Sequence, residues 1–334
     1  MELGGGVPQA PEPLLITELT DYRNGIYTLD AEYIRPLVAA IHLVVDQGRV
    51  AIVDTASNHA LGRTQNALAA LGLGPEAVDY VVLTHVHLDH AGGAGAMMAA
   101  FPEARLVVHP RGARHMAEPA KLFAAVEEVY GAERARSLYG ELVPVPAARI
   151  LAAEDRQTLP LGGRVLEVLH TPGHAKHHLC LFDHASRSAF TGDALGISYR
   201  EFDAEGRPFL FPTTSPSQFD PDDMRASADR VLSLAPDALY LTHFGRVAPA
   251  EAVVARFRRL LAGHRDAACA EENTPAEGRE SRIRTRLAGL MLEEVRAHGC
   301  GLPEPEVLDL LRLDLDLNTQ GLAHWIGQRA AAPQ

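Results

Sequence analysis

Short runs of Val, Ile and Leu, separated by polar residues, dominate the chain from about Thr17. Runs of this length, rich in β-branched residues and bounded by turn residues, are typical of strands. Strands are predicted over Gly25–Leu29, Pro36–Val45, Val50–Val53, Tyr80–Leu83, Arg105–Val108, Arg164–Leu169, Leu179–Phe182, Ser188–Phe190 and Ala238–Leu241. Asp46-Gln47-Gly48 interrupts the apolar pattern and predicts a hairpin turn.

Helical spacing of apolar residues alternates with these strands. We predict helices over Gly62–Leu71 and Gly93–Ala100, and a further helix running to Leu232 with Asp220 as its N-cap and Pro221 at its first position. Residues 111–140 predict two amphipathic helices that interrupt the strand pattern as an insertion. The alternation indicates an α/β or α+β layered fold.

The end of the chain is helical, and its beginning is rich in Gly and Pro. Helices are predicted at 249–263, 277–298, 303–313 and 319–329. Cys269–Glu280 is polar, and we expect it to be flexible. The pattern predicts a flexible tail at 1–14, a catalytic domain at 15–250 and a helical extension at 251–334.

Composition narrows the function classes. With 31 Lys and Arg against 43 Asp and Glu, the net charge of −12 argues against a nucleic-acid partner. The sequence contains no run of 18 apolar residues, so no membrane helix is predicted, and the first residues do not resemble a signal peptide. The 3 Cys are widely spaced and suit a reducing compartment, so we expect a cytoplasmic protein. The unusual feature is the presence of 16 His.

The segment THVHLDHAGG, Thr84–Gly93, follows a predicted strand directly. It brings His85, His87, Asp89 and His90 within six residues. Imidazole and carboxylate groups are the ligands expected for zinc, iron or manganese. Buried together without a cation, they would lose hydration and repel one another when protonated. The glycines would let the next helix begin close to the metal. The segment therefore predicts a metal site.

Four further ligand candidates, Asp54, His174, Asp193 and His243, each follow an apolar run. A single residue of this kind is more often a turn, cap or surface residue. If all four strands end at one edge of a sheet, however, these side chains would meet the cluster at His85–His90.

In chain order, THVHLDHAGG, TPGH, TGD and THFG resemble the metallo-β-lactamase-fold hydrolases over about residues 15–250. The resemblance implies an α+β fold, a four-layer αββα sandwich with a dinuclear metal site at one edge of its two sheets. The absence of Cys from the ligand positions sets the chain apart from zinc β-lactamases that use a Cys ligand. His87 separates it from flavodiiron proteins, which have Glu there. The remaining similarity is to the glyoxalase II and lactonase-like branch.

Carried over by position, the resemblance implies two ligand groups, one of His85, His87 and His174 and the other of Asp89, His90 and His243. Asp193 would bridge two divalent ions, most simply Zn²⁺ with Fe or Mn as alternatives, together with a hydroxide. Asp89 and Asp193 are the catalytic candidates, with Asp89 as a proton shuttle. Asp54 would orient a ligand imidazole by hydrogen bonding.

The sequence favours hydrolysis of a small ester, thioester or lactone. A mononuclear iron dioxygenase of a sulfur compound (on His85, His174 and Asp193), a phosphodiesterase and a catalytically silent metabolite sensor remain alternatives. Tyr199, Tyr22 and Tyr33 are candidate substrate-binding residues. The insertion and the C-terminal helices are expected to form a lid over the metal edge or a homodimer interface, and the sequence leaves both open.

Overall fold

Two β-sheets, packed face to face, form the centre of the computed structural model, which describes residues 19–214 and 216–331. The first sheet contains, in spatial order, β1 (Leu19–Asp21), β2 (Ile26–Asp30), β3 (Ala40–Asp46), β4 (Arg49–Val53), β5 (Val78–Val82), β6 (Arg105–Val108) and β7 (Ile150–Ala152). The second contains β8 (Thr158–Leu161), β9 (Arg164–His170), β10 (Leu179–Asp183), β11 (Ser188–Gly192), β12 (Ala238–Leu241) and β13 (Gly245–Val247), in the reverse spatial order. The predicted tail at 1–14 lies outside the described residues.

Helices cover the outer faces of both sheets. They are α1 (Leu61–Ala70), α2 (Leu88–Ala91), α3 (Ala94–Ala100), α4 (Pro110–Ala117), α5 (Ala120–Tyr130), α6 (Ala132–Tyr139), α7 (Pro221–Leu232), α8 (Glu251–Cys269), α9 (Arg279–His298), α10 (Glu304–Leu310) and α11 (Arg312–Ala331). The α+β, four-layer αββα architecture expected from the resemblance is confirmed. No helix within the described ranges is both long and apolar enough to cross a bilayer.

Three hydrophobic clusters hold the layers together. One lies between the sheets and includes Val53, Val82 and Phe190. A second packs the first sheet against α1 and α3. The third packs the second sheet against α7 and the C-terminal helices, so that Trp325 of α11 belongs to the same core as Leu239 of β12. The apolar stripes of the C-terminal helices therefore serve the core of the sandwich.

Some predicted boundaries differ from the structure. The strand predicted at Pro36–Val45 begins only at Ala40, because Leu37 has a φ of 59°. The insertion contains three helices rather than two, since Pro119 and Gly131 divide it into α4, α5 and α6. The segment Cys269–Glu280 forms turns around the buried Glu271, whose carboxylate accepts hydrogen bonds from Arg282 and Arg286.

The start of α7 follows the sequence prediction closely. Oδ1 of Asp220 accepts hydrogen bonds from the amides of Asp222 and Asp223, at 2.9 and 3.0 Å, and Pro221 occupies the first turn. This cap satisfies two of the amides that a helix start leaves unpaired. It also fixes the exit of the irregular segment 196–219, which borders the functional site described next.

Candidate metal centre

Five strand ends deliver the candidate ligands to one edge of the sandwich. In the first sheet, Asp54 follows β4, and the cluster at His85–His90 follows β5. In the second sheet, His174, Asp193 and His243 follow β9, β11 and β12. The positions that looked isolated in the sequence thus share one edge of the fold. The structure brings together all the ligand candidates that the sequence predicted.

Three imidazoles form the first group. Nε2 of His85 lies 2.9 Å from Nδ1 of His87, and Nε2 of His174 lies 3.0 Å from the same atom. Nδ1 of His174 lies 3.3 Å from the carbonyl oxygen of Thr213, to which it can donate. That contact turns Nε2 of His174 toward the other two rings and leaves its lone pair available.

The second group consists of Asp89, His90 and His243. Nε2 of His243 lies 3.2 Å from Nε2 of His90 and 3.3 Å from Oδ2 of Asp89. Nδ1 of His243 donates to the carbonyl oxygen of Val38 at 2.6 Å, which orients the ring. Each imidazole therefore presents Nε2 to a common point, as a metal ligand does.

The carboxylate of Asp193 lies between the two groups. Its Oδ2 is 3.4 Å from Nε2 of His174, and its Oδ1 is 3.4 Å from Nε2 of His90. Oδ1 is also 3.9 Å from Nε2 of His243. One oxygen thus faces each group, which is the geometry a bridging carboxylate requires.

Asp54 organises the base of the site. It is fully buried, with Oδ2 accepting hydrogen bonds from Nδ1 of His90 at 2.7 Å and from the Thr242 hydroxyl at 2.6 Å. Oδ1 accepts a hydrogen bond from the Thr84 amide at 2.8 Å. Because Nδ1 of His90 is engaged, Nε2 is the atom left for the site. The sequence-based role of Asp54, to orient a ligand imidazole, matches these contacts.

The two ligand groups differ in the pKa values of their imidazoles. Burial lowers the pKa of His85 and of His87 well below the ordinary value, and neighbouring imidazoles add to the effect. For His90, burial opposes protonation, but the carboxylates of Asp193 and Asp54 outweigh it and raise the pKa well above the usual range. Burial would also raise the pKa of Asp193, yet the facing imidazoles hold it well below its usual value. Burial thus favours neutral imidazoles in the first group, whereas carboxylates favour protonated imidazoles in the second.

These residues fit a divalent cation. The imidazole nitrogens lie 2.9–3.2 Å from one another. Several of these nitrogens offer only a lone pair, so their close approach gains little from hydrogen bonding. Oδ1 of Asp193 is buried and has no hydrogen-bond partner within the described part of the chain. A cation would satisfy the lone pairs of both kinds of atom. Groups of three ligand atoms within 4.8 Å of one another occur three times here.

A model of the metallo-beta-lactamase superfamily matches residues 34–243. The chain belongs to this superfamily. A metallo-beta-lactamase fold-containing protein from Sulfurisphaera tokodaii is 24% identical over 231 residues, which are 68% of this chain and 80% of that protein.

Two enzymes share shorter regions with this superfamily member. A hydroxyacylglutathione hydrolase of Aeromonas hydrophila is 32% identical over 177 residues, or 53% of this chain and 50% of that enzyme. An acyl-coenzyme A thioesterase of Gallus gallus is 34% identical over 136 residues, or 37% of this chain and 44% of that enzyme. The chain thus spans about half or less of the length of these two relatives.

Two solved structures share the fold. A metallo-beta-lactamase family protein from Thermus thermophilus has a TM-score of 0.64 at 24% identity, with 92% of this chain and 95% of that chain covered. An archaeal superfamily protein from Sulfolobus tokodaii has a TM-score of 0.60 at 21% identity, with 90% and 98% covered. The similarity extends beyond residues 34–243, so it includes much of the C-terminal helical region.

His178 is a residue of the candidate site that the sequence did not distinguish. It is fully buried, and its Nε2 accepts a hydrogen bond from the Asp193 amide at 3.2 Å. Its Nδ1 lies 2.8 Å from the Thr171 hydroxyl. His178 therefore positions the backbone of the bridging carboxylate. The pair His177-His178 is the only signal in the sequence, and the pattern did not show which ring faces inward.

Gly192 makes this arrangement sterically feasible. Its φ is +46°, and a Cβ at this position would lie 2.6 Å from Oγ1 of Thr84 and 2.8 Å from Nε2 of His178. A side chain would displace either the residue that binds Asp54 or the residue that holds the Asp193 amide. The glycine of the TGD motif is thus required by packing around the site.

A cavity of about 210 Å³ opens onto the metal centre. His87, Asp89, His174, Asp193 and His243 line its inner end. Its walls include apolar side chains from the insertion and from α11, namely Leu122, Val126, Leu313 and Leu317. The insertion and the C-terminal helices therefore both contribute side chains to the cavity at the metal edge.

The three candidate tyrosines occupy different places. Tyr33 and Tyr199 line the cavity, and the Tyr33 hydroxyl lies 2.6 Å from that of Tyr139. Tyr22 is not among the residues that line this cavity in the described chain. It packs edge-on against Tyr240, with ring centroids 5.2 Å apart.

Proposed function

We propose that this protein is a hydrolase of small esters, thioesters or lactones that uses two divalent metal ions, with Zn²⁺ as the first candidate. The observation that carries the proposal is the carboxylate of Asp193, which directs one oxygen toward each of two imidazole groups. Nitrogen and carboxylate ligands without Cys suit Zn²⁺ and are also compatible with Fe or Mn.

His85, His87 and His174 would hold one ion, and Asp89, His90 and His243 the other. When bound, the ions would lower the pKa of a water molecule and polarise the substrate carbonyl. Asp193 keeps the two groups in register, and His178 and Asp54 hold their ligands in place. Asp89 lines the cavity with a partly exposed side chain, and its carboxylate would accept a proton and return it to the leaving group.

The substrate class follows from the cavity and from the relatives. The walls are mainly apolar, which suits an acyl group better than a phosphodiester. Relatives named as a hydroxyacylglutathione hydrolase and an acyl-coenzyme A thioesterase act on thioesters, which supports the same bond class here. We infer a small-molecule substrate, no nucleic-acid partner and a cytoplasmic site of action.

Metal analysis coupled to activity tests the proposal. Purified protein is expected to bind about two Zn²⁺ per chain and to hydrolyse at least one of p-nitrophenyl esters, acyl-coenzyme A, a glutathione thioester and lactones. Asp89→Asn should lower kcat by a factor of at least 100 and leave the melting temperature within a few degrees. Asp79→Asn, at a surface ion pair with Arg49, is the matched control and should retain activity.

Three outcomes would contradict the proposal. One iron per chain with oxygen uptake would indicate a dioxygenase. Cleavage of a phosphodiester alone would indicate a different substrate class. Full metal loading without turnover on the whole panel would favour a metabolite sensor.

A further inference from the structure

The C-terminal helix α11 places one acidic side chain in the wall of the cavity. Asp314 lines the cavity beside Leu313 and Leu317. Its Oδ1 accepts a hydrogen bond from the Tyr199 hydroxyl at 3.2 Å. Its Oδ2 is buried and has no hydrogen-bond partner within the described residues.

The other acidic residue of this helix, Asp316, two positions further on, pairs with Arg284 at 2.7 Å, and both side chains are partly exposed. Asp314 has no ion pair with Lys or Arg in the described part of the chain, and no Lys or Arg is among the described residues that line the cavity. A poorly solvated carboxylate without a cationic partner is unfavourable for folding. Burial raises the pKa of Asp314 to about 7, although the Tyr199 hydroxyl, His243 and Arg35 act in the opposite direction.

The surroundings of Asp314 define what can approach it. Leu122 and Val126 of the insertion form an apolar wall, and Ile34 and Leu313 are large hydrophobic side chains on the rim, 51% and 38% exposed. At ~30 Å³ for each water-sized group, 210 Å³ accommodates about seven such groups. A short to medium acyl chain fits this space. Away from the metal end, the described polar residues that line it are the Asp314–Tyr199 pair, the Tyr33–Tyr139 pair and Thr213, and among these Asp314 alone carries a carboxylate.

We propose that Asp314 is a specificity-determining residue that accepts a hydrogen bond from a neutral donor, such as a hydroxyl or amide N–H, on an apolar acyl substrate. The inference rests on the proposed hydrolase function, because that function places the substrate carbonyl at the metal end. The inference adds that a residue of the C-terminal helices selects the substrate. A carboxylate without a compensating cation also disfavours anionic groups near it.

Matched thioesters of N-acetylcysteamine test this selection with a neutral leaving group. Hexanoyl, 2-hydroxyhexanoyl and 3-hydroxyhexanoyl thioesters differ only in the presence and place of one donor. We expect zinc-loaded protein at pH 8, where the Asp314 carboxylate is ionised, to prefer one of the hydroxyacyl substrates by about tenfold or more in kcat/KM, because a hydrogen bond to a charged acceptor is worth at least that factor. Hexanoyl-glutathione should be a poorer substrate than the neutral hexanoyl thioester.

Asp314→Ala is expected to reduce the hydroxyacyl preference, measured as the ratio of kcat/KM to that of the plain hexanoyl thioester, to within about twofold of unity. Asp316→Ala, which removes an exposed carboxylate from the same helix, should keep the wild-type preference. Retention of the full preference by Asp314→Ala would overturn the proposal, as would the absence of any preference in the wild-type protein.

A binding measurement separates this inference from the proposed function. Calorimetry with hexanamide and the two hydroxyhexanamides requires no turnover. Tighter binding of a hydroxyamide that is lost in Asp314→Ala supports the role of Asp314 even when no thioester is hydrolysed. Hydrolysis of the thioesters combined with equal binding of all three amides would overturn the role of Asp314 and leave the hydrolase proposal intact. Circular dichroism and the melting temperature establish that each variant is folded.

Discussion

Oδ2 of Asp54 accepts a hydrogen bond from Nδ1 of His90 at 2.7 Å, between two side chains that are both fully buried. The same carboxylate binds the Thr84 amide and the Thr242 hydroxyl, so it joins the ends of β4, β5 and β12. This residue therefore links the two sheets at the metal edge. The orientation of a ligand and the packing of the sandwich therefore depend on the same side chain.

Asp54→Asn is expected to weaken metal binding at the group containing His90 by about 10–100-fold. Asn tolerates the φ of 57° at this position, so the backbone can be retained. Asn has a single acceptor oxygen, so it cannot accept from the Thr84 amide on one side and from Thr242 and His90 on the other as the carboxylate does, and an NH2 group must face donors on one side. Competition with a metallochromic chelator measures the affinity. Thr28→Val, which removes a hydroxyl 2.9 Å from His42 away from the ligands, is the control, and equal affinities in both variants would contradict the prediction.

His178→Phe should reduce activity by about tenfold or more and stability by about 1–3 kcal/mol, since the Asp193 amide is left buried without its acceptor. Turnover with the best thioester and chemical denaturation measure the two effects. His184→Ala, which removes a half-exposed ring bonded to Glu167, provides a comparison on the far end of β10. If His178→Phe kept wild-type turnover at reduced stability, His178 would serve the fold alone.

The sequence predicted the ligands more completely than the residues that support them. A ligand such as His174 carries a signal because it ends an apolar run within a motif. His178 has no such signal, since one residue of difference in a loop decides whether an imidazole at 177 or at 178 reaches the Asp193 amide. Asp314 lies far along the chain in a helix, and only tertiary packing of α11 brings it to the cavity.

For the fold, long apolar strands were predictable and short edge strands were not. The interior strand β4 was predicted within one residue. β8, Thr158–Leu161, was missed because it contains Pro160 and has only four residues. β13 has three residues, too few for a pattern. Such strands form because a neighbour supplies their hydrogen bonds, which no local propensity reveals.

Leu122→Ala combined with Val126→Ala should raise KM by about three- to tenfold for a hexanoyl thioester, with a small effect on kcat. Both side chains line the cavity from α5, far from any proton transfer, so their removal takes away apolar contact that ground and transition states share. Steady-state kinetics over acyl chains of two to six carbons measure the effect, which should diminish for acetyl. Lys121→Ala, at an exposed position of the same helix, is the control. A fall in kcat with unchanged KM would contradict a role of α5 in substrate binding.

Removal of bound metal by a chelator is expected to lower the melting temperature by about 10 °C, since a cation at 1,000 times its Kd stabilises the folded state by ~4 kcal/mol. Metal affinity should also fall between pH 8 and pH 6. Burial lowers the pKa of His90 and of His243, but Asp193 outweighs burial and raises both values. These imidazoles must therefore lose a proton when a cation binds. Scanning calorimetry and titration calorimetry at the two pH values measure these effects. Equal affinity at pH 6 and pH 8 would count against imidazole ligation, and readdition of Zn²⁺ should restore the melting temperature.

Asp314→Asn should stabilise the chelator-treated protein at pH 8 and have little effect at pH 4. Burial raises the pKa of Asp314 to about 7 in the folded state, so the folded protein retains this proton more firmly than the unfolded chain does. The wild type therefore loses stability as pH rises from about 4 through about 7, and the Asn variant does not. The side chain is only partly buried, so we expect about 1–2 kcal/mol rather than the full value of the shift. Urea denaturation at pH 4, 6 and 8 measures the difference, with Asp316→Asn as the control on the same helix. A stability gain at pH 8 that also appears at pH 4 would show that ionisation of Asp314 is not its cause.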